Sequence, residues 1–154
     1  MKSFMTFQPP STTESASTPA GYRPTILVVD DHKPVRDTLL HVLQGSGYRV
    51  ITADTGPSAI ELSRGEVLAA ALIDVHLHGM NGFECFRRIQ EHQGAFRAWL
   101  ITGAPSKEIA NAVTASGAMG LLPKPFDLGS LLTTLREGLS APIPTPVAKE
   151  VSPQ

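Results

Sequence analysis

Five polar side chains stand at the ends of short apolar runs, and their chemical types suit phosphoryl transfer. Asp30 and Asp31 follow one run, Asp74 follows another, Thr102 follows a third, and Lys124 comes after the last. Carboxylates that meet in one crevice repel one another unless a cation neutralises them. Mg²⁺ suits such a crevice, because it prefers oxygen ligands, keeps several waters and needs only one or two carboxylates.

Lys124 and Thr102 complete the set of groups that phosphoryl transfer onto a carboxylate requires. The Lys124 ammonium is a compact positive charge that matches a phosphate oxygen, and the Thr102 hydroxyl offers a hydrogen bond to another. Positioning and charge stabilisation provide most of the catalysis in this chemistry. Each residue alone has an ordinary structural interpretation, such as a turn or a helix cap for an aspartate. The hypothesis therefore depends on all of them meeting at one place.

The apolar runs that precede these residues are predicted strands. They cover residues 25–29, 48–53, 69–73, 98–101 and 120–122. The first and third are continuous rather than alternating, which is typical of strands that are covered on both faces. Only Asp54 follows the second run, and we expect it to turn into the next loop.

The segments between the runs have helical patterns. Val35, Leu39 and Leu43 recur at helical spacing, and Gly45 or Gly47 would end that helix. The predicted start signals of later helices are Thr55, Pro57 and Asp127. Strict alternation of strands and helices predicts parallel strands joined by right-handed crossovers.

Residues 24–140 are therefore predicted to form one α/β domain. Five β/α units of this length are typical of a flavodoxin-like, doubly wound five-stranded parallel sheet with the strand order 2-1-3-4-5. Ligands of such sheets bind outside the carboxyl ends of the strands. Because strands one and three flank the switch point, we expect Asp30, Asp31 and Asp74 to converge there.

Composition limits the broad class of the protein. The chain has 154 residues, 42% hydrophobic and 18% charged, as expected for one globular domain. A net charge of −1 gives no support for direct nucleic-acid binding, and no apolar run approaches the ~20 residues of a membrane span. The single cysteine, Cys85, and the lack of a secretory apolar segment predict a cytoplasmic location. Residues 1–23 are predicted as a disordered tail, and residues 141–154 as a Pro-rich flexible tail.

Four segments together resemble the receiver domain of two-component response regulators, in its stand-alone single-domain form. They are ILVVDD at 26–31, LIDVHLHGMNG at 72–82, WLITG at 99–103 and GAMGLLPKPF at 117–126. The resemblance implies that Asp74 accepts a phosphoryl group from a histidine kinase or a histidine phosphotransfer protein. It also implies that Asp31, Asp74 and the backbone carbonyl of His76 bind Mg²⁺, with Asp30 assisting through water.

The same resemblance assigns the remaining roles. Lys124 would pair with the phosphoryl group, Thr102 would move toward it, and the Lys124–Pro125 bond would be cis. The signal would pass to a downstream protein of unknown identity or to a phosphorelay. The face made by the fourth helix, the fifth strand and the fifth helix would serve this contact or a homodimer. No enzymatic activity is implied beyond phosphorylation and dephosphorylation of the domain itself.

Three departures from the family pattern affect these expectations. His78 replaces the usual proline after the phosphoacceptor, and Leu121 replaces the usual aromatic switch residue. His76 and Ala104 occupy the positions that tune hydrolysis of the aspartyl phosphate. Because neither is an amide that positions water, slow self-dephosphorylation is predicted.

Other functions fit the sequence less well. Leu121 favours a receiver-fold interaction module that works independently of phosphorylation, whereas the intact set of site residues argues against it. A haloacid-dehalogenase-like phosphatase would need a second Asp two residues after Asp30, where His32 stands. No P-loop pattern occurs, so the sequence gives no support for nucleotide hydrolysis.

His76 and His78 could suggest a zinc site. These two residues alone lack the third and fourth ligands that zinc usually takes, so a solvated loop is the favoured interpretation.

Overall fold

The computed structural model describes residues 21–145, which contain seven strands and five helices. The strands are β1 (Thr25–Val29), β2 (Arg49–Ala53), β3 (Ala70–Asp74), β4 (His76–Leu77), β5 (Met80–Asn81), β6 (Arg97–Thr102) and β7 (Gly120–Pro123). The helices are α1 (Lys33–Gly45), α2 (Gly56–Ser63), α3 (Gly82–Gln93), α4 (Lys107–Ser116) and α5 (Leu128–Gly138).

Five strands form one parallel sheet in the order β2-β1-β3-β6-β7. This arrangement confirms the predicted flavodoxin-like fold, since the fourth and fifth predicted strands are β6 and β7. Every residue of β1 and β3 is buried, as their continuous apolar sequences predict. The central position of these two strands brings their carboxyl ends side by side.

The sheet separates two hydrophobic cores. Successive side chains of a strand point to opposite faces, so Ile26 and Val28 of β1 pack in one core, and Leu27 and Val29 pack in the other. The first core includes buried residues of α1 and α5, and the second includes residues of α2, α3 and α4. Burial on both faces fixes the register of the strands, and with it the position of the residues that follow them.

Capping side chains fix the starts of three helices. The side chains of Thr55, Asn81 and Ser106 each accept a hydrogen bond from a backbone N–H in the first turn of α2, α3 and α4. Asp127 occupies the N-cap position of α5, but its carboxylate accepts a hydrogen bond from the Ser130 hydroxyl at 2.5 Å and none from the backbone. Helix α1 ends at Gly45.

The segment after β3 differs from the predicted loop. His76 and Leu77 pair in antiparallel fashion with Met80 and Asn81, and Gly79 supplies the positive φ of +78° in the turn. The side chains of His76 and His78 are exposed, as expected for this segment. The hairpin holds the chain over the carboxyl end of β3.

The predicted tails extend beyond the described part of the chain, because residues 1–20 and 146–154 lie outside it. Within residues 21–145, none of the helices has the length and the apolar character needed to cross a bilayer.

Candidate functional site

Asp74 is the last residue of β3, and its side chain lies in a pocket at the carboxyl edge of the sheet. The residue is only 3% exposed. Its Oδ1 accepts a hydrogen bond of 2.7 Å from the backbone N–H of His76, and its Oδ2 accepts one of 2.8 Å from Nζ of Lys124. Both oxygens are therefore held in place, and the carboxylate is oriented before any ligand arrives.

Lys124 follows β7 and connects two carboxylates. Its Nζ lies 2.8 Å from Oδ2 of Asp74 and 2.9 Å from Oδ2 of Asp30. Burial, the largest single influence, would lower the pKa of the ammonium, but the hydrogen bond to Asp74 and the two negative charges together raise that pKa. The backbone N–H of Lys124 also donates to the carbonyl of Thr102 at 2.8 Å, which anchors the lysine to β6. The Lys124–Pro125 bond is cis, as predicted.

Asp30 and Asp31 bring two more carboxylates into the pocket from the end of β1. Asp30 is fully buried, and its Oδ1 accepts the backbone N–H of His32 at 2.8 Å. Two buried oxygens, Oδ2 of Asp30 and Oδ1 of Asp31, accept no hydrogen bond, although Lys124 lies within ion-pair distance of the first. A buried carboxylate oxygen without a hydrogen bond is costly, so Oδ1 of Asp31 marks a place where a cation would fit, whereas Oδ2 of Asp30 already has the Lys124 ammonium beside it.

The donor set of the pocket suits a divalent metal ion. One ligand atom each from Asp30, Asp31, His32 and Asp74 lies within 4.8 Å of the others. Three of these four atoms are carboxylate oxygens, the donors that Mg²⁺ prefers. The residues present therefore fit Mg²⁺, and three of them are the carboxylates predicted from the sequence.

Thr102 ends β6 beside the pocket and is fully buried. Its Oγ1 accepts a hydrogen bond of 3.0 Å from the backbone N–H of Ala104, so the hydroxyl is engaged with its own loop. Leu121 lies on β7, is partly buried and packs against the core that contains α3 and α4. Asp54, in contrast, is exposed outside this cluster, as expected.

Three residues with no predicted part in the pocket help to build it. Nδ1 of His32 lies 3.2 Å from Oδ1 of both Asp30 and Asp31, and Nδ1 of His78 lies 2.6 Å from Oδ2 of Asp31. The sequence shows both histidines near carboxylates, but only the loop geometry sets the direction of their rings.

Gly82 is the third of these residues. A Cβ at this position would collide with the backbone carbonyl of Asp74 and with Cα of Val75. The N–H of Gly82 also donates to the carbonyl of Val75 at 2.8 Å. A glycine eight residues after a candidate nucleophile gives no signal by itself, because the requirement arises from the close approach of α3 to the end of β3.

A groove beside the pocket is lined mainly by apolar residues. Its volume is about 600 Å³, and its walls come from the start of α1, from Gly103 and from the segment between β7 and α5. The lining residues are Pro34, Val35, Thr38, Gly103, Lys124, Pro125, Phe126 and Leu128. Lys124 is therefore shared between the groove and the acidic pocket.

Comparisons with known proteins agree with this geometry. A family model described as the response regulator receiver domain matches residues 26–136. The transcriptional regulatory protein ZraR of Klebsiella oxytoca is 34% identical over 121 residues, which cover 79% of this chain and 27% of that protein. The chain thus spans about a quarter of the length of this relative.

Two solved structures share the fold. A CheY-like response regulator receiver domain protein from Methanospirillum hungatei has a TM-score of 0.73 at 27% identity, covering 77% of this chain and 94% of that one. A response regulator protein from Burkholderia pseudomallei has a TM-score of 0.69 at 28% identity, covering 76% and 69% respectively. The second structure contains a phosphorylated aspartic acid and a calcium ion.

Proposed function

This chain belongs to the response regulator receiver domain family, and we propose on that basis that Asp74 accepts a phosphoryl group from a phosphohistidine. The donor would be a histidine kinase or a histidine phosphotransfer protein. The single observation that carries the proposal is the environment of the Asp74 carboxylate. It is 3% exposed, oriented by the N–H of His76, and paired with Lys124 at 2.8 Å.

The proposed step is an in-line displacement at phosphorus. A carboxylate oxygen of Asp74 forms the new bond to phosphorus, while the bond between phosphorus and the imidazole nitrogen of the donor breaks. The imidazole leaves with the electron pair and takes up a proton from solvent. Hydrolysis later returns Asp74 to its free form, when water attacks phosphorus and releases inorganic phosphate. Lys124 would stabilise the negative charge of the phosphoryl oxygens throughout.

We propose that Asp31, Asp74 and the carbonyl of His76 hold Mg²⁺ here, with Asp30 assisting through water. The ion would supply positive charge that offsets the carboxylates and the incoming phosphoryl oxygens. Oδ1 of Asp31, which is buried and accepts no hydrogen bond, supports this assignment. The calcium ion in the phosphorylated Burkholderia pseudomallei protein is a parallel in a related structure.

The phosphoryl group would change the surface that partners recognise. It adds about −1.5 to −2 charge beside Thr102, whose hydroxyl accepts a hydrogen bond from the Ala104 N–H and would donate its own proton to a phosphoryl oxygen. A shift of Thr102 would alter β6 and the neighbouring α4. The face made by α4, β7 and α5 is proposed as the contact surface for a downstream protein, for a phosphorelay or for a homodimer.

The apolar groove beside the pocket supports transfer from a protein donor rather than from a small molecule alone. Lys124 lies in both the groove and the acidic pocket, so a protein seated on the groove would place its phosphohistidine near Asp74. We propose this groove as part of the surface on which the donor docks.

Leu121 favours a second candidate function, in which the receiver fold acts as an interaction module without phosphorylation. The residue packs partly buried in a position where an aromatic switch residue usually stands. An aliphatic side chain there removes the usual rotation between inward and outward positions. The complete acidic pocket favours the phosphoacceptor function over this alternative.

Phosphorylation by a small donor separates the two candidates. Incubation with acetyl phosphate and Mg²⁺, followed by intact mass measurement, is expected to show one added phosphoryl group. Asp74→Asn should show none, while Asp54→Asn, which changes an exposed carboxylate outside the pocket, should behave like the wild type. An unmodified wild type would support the interaction module.

Three further expectations are kept as proposals. The domain would catalyse no reaction other than its own phosphorylation and dephosphorylation. It would act in the cytoplasm, without binding nucleic acid directly. It would signal through a separate downstream protein.

A further inference from the structure

Each polar atom of Asp30 has a hydrogen-bond or ion-pair partner within the protein. Its N–H donates to the carbonyl of Ala53 at 3.2 Å, and its Oδ1 accepts the N–H of His32 at 2.8 Å. Its Oδ2 lies 2.9 Å from Nζ of Lys124. Its carbonyl accepts a hydrogen bond of 2.8 Å from Nη1 of Arg36. The residue is fully buried, so these four partners together hold it in one orientation.

The contact from Arg36 ties the loop after β1 to helix α1. The backbone N–H of Arg36 donates to the carbonyl of His32 at 3.1 Å in the first turn of α1, while its side chain reaches back to the residue that follows β1. The side chain is partly buried. Hydrogen bonds with one charged partner are stronger than neutral ones, so this guanidinium is well suited to hold a backbone carbonyl.

The carbonyl that Arg36 holds belongs to the peptide group between Asp30 and Asp31. A peptide group is planar, so the direction of its carbonyl sets the position of the next Cα, which is that of Asp31. Oδ2 of Asp31 lies 2.6 Å from Nδ1 of His78, and Oδ1 is buried and accepts no hydrogen bond. Arg36 therefore influences the direction in which Asp31 presents Oδ1 to the pocket.

The charge of Arg36 and its hydrogen bond should act on a bound cation in opposite directions. A guanidinium near a divalent cation repels it, so the charge alone would weaken metal binding. A hydrogen bond that orients a carboxylate ligand would strengthen metal binding. Removal of the side chain therefore shows by the sign of its effect which of the two dominates.

We propose that Arg36 is a positioning residue for Mg²⁺ binding, which acts through the Asp30 carbonyl and holds Asp31 in the orientation that binds the ion. The inference rests on the proposed function, in which Asp31 is a ligand of Mg²⁺. It makes a cation of α1 a determinant of metal affinity, through the backbone rather than through a carboxylate.

The test is calorimetric titration of the full chain with MgCl₂ in phosphate-free buffer, with urea unfolding of each variant measured alongside. Arg36→Met keeps an unbranched side chain that favours a helix and removes the guanidinium. We expect its Mg²⁺ dissociation constant to rise about tenfold or more, the range for outer partners of metal ligands. Arg36→Gln, which removes the charge and shortens the side chain, should show the same loss.

Lys33 offers a matched control on the same helix. It is 73% exposed, and its Nζ pairs with Oδ2 of Asp37 at 2.6 Å. Lys33→Met removes a positive charge near the same loop and leaves the hydrogen bond to the Asp30 carbonyl in place. Its Mg²⁺ affinity should equal that of the wild type or be slightly higher.

Phosphorylation by acetyl phosphate gives a second measurement. In Arg36→Met, the Mg²⁺ concentration that gives half of the maximal rate should rise by the same factor as the dissociation constant. The rate at saturating Mg²⁺ should stay close to that of the wild type, because Asp74 and Lys124 are unchanged. A loss of stability alone would change the unfolding midpoint and leave this Mg²⁺ dependence as it is.

Several outcomes would overturn the proposal. Unchanged or tighter Mg²⁺ binding by folded Arg36→Met would show that the side chain acts through stability or charge alone. An equal loss of affinity in Lys33→Met would show that the Asp30 carbonyl plays no part. A wild type that takes up no Mg²⁺ would overturn the metal assignment as well. Failure of Asp74 to accept a phosphoryl group would leave the titrations interpretable, so the two failures are distinguishable.

Discussion

Nζ of Lys124 lies 2.8 Å from Oδ2 of Asp74, although β6 separates the strands that lead to the two residues. The lysine therefore extends across the carboxyl edge of the sheet to meet the carboxylate, and its Nζ also lies 2.9 Å from Oδ2 of Asp30 at the end of β1, on the far side of β3. One ammonium thus offsets charge from two carboxylates that belong to different strands. Removal of this ammonium should therefore affect both carboxylates.

Lys124→Met should slow phosphorylation of Asp74 by acetyl phosphate by about 10²–10³-fold, the usual cost of losing one charge-stabilising donor. The metal-free variant should also be less stable, by up to about 3–5 kcal/mol, because the carboxylates of Asp30 and Asp74 lose their buried partner. Rates come from time-resolved intact mass, and stability from urea unfolding with and without Mg²⁺. Lys124→Arg keeps the charge and serves as the control. A methionine variant with the wild-type rate would contradict a role for the ammonium in transfer.

Gly82→Ala should damage the phosphoacceptor without removing any polar group. Its Cβ would collide with the carbonyl of Asp74, so either α3 or the end of β3 must move. We expect a loss of about 1–3 kcal/mol of stability, typical of overpacking, together with slower phosphorylation. Gly45→Ala is the matched control, because a Cβ at Gly45 meets no atom within 4 Å. Equal unfolding midpoints for the two variants would refute the close approach.

Cys85 should resist alkylation in the folded protein. Burial raises the pKa of its thiol to about 12, so the reactive thiolate is almost absent at pH values below that range. Iodoacetamide at mildly alkaline pH should leave the native chain unmodified and should label it fully in denaturant, as read by mass. Rapid labelling of the native protein, at a rate unchanged by stabilising conditions, would show that the thiol is accessible.

The aspartyl phosphate should be long-lived. The exposed side chain of His76 and the methyl group of Ala104 offer no amide to position the attacking water. We expect a lifetime of minutes or longer in the isolated protein, and faster hydrolysis in His76→Asn, which supplies such an amide. Loss of the added mass over time gives both rates. A wild-type half-life of seconds would contradict the prediction.

The sequence by itself determined the fold and the five predicted polar residues at the carboxyl edge of the sheet. Continuous apolar runs in β1 and β3 require burial on both faces, and alternation with helices then requires parallel strands. A parallel sheet brings the ends of its strands to one edge, so Asp30, Asp31, Asp74, Thr102 and Lys124 were predictable from their positions after the runs. The caps at Thr55 and the end of α1 also follow from local patterns, because such signals act within a few residues.

Only the tertiary structure decided how these groups contact one another. The pairing of Lys124 with both Asp74 and Asp30 depends on strand order and on the path of the loop after β7. The antiparallel pairing of β4 with β5 was not predicted, since two-residue strands carry no periodic signal. The ring of His78 reaches Oδ2 of Asp31, 47 residues earlier in the chain, at 2.6 Å only because of the conformation of its loop. The ring of His32 turns toward its neighbours Asp30 and Asp31, at 3.2 Å from each, because of the loop after β1. Sequence patterns report burial and periodicity. Contacts between side chains more than forty residues apart in the chain form only when the folded sheet brings those residues together.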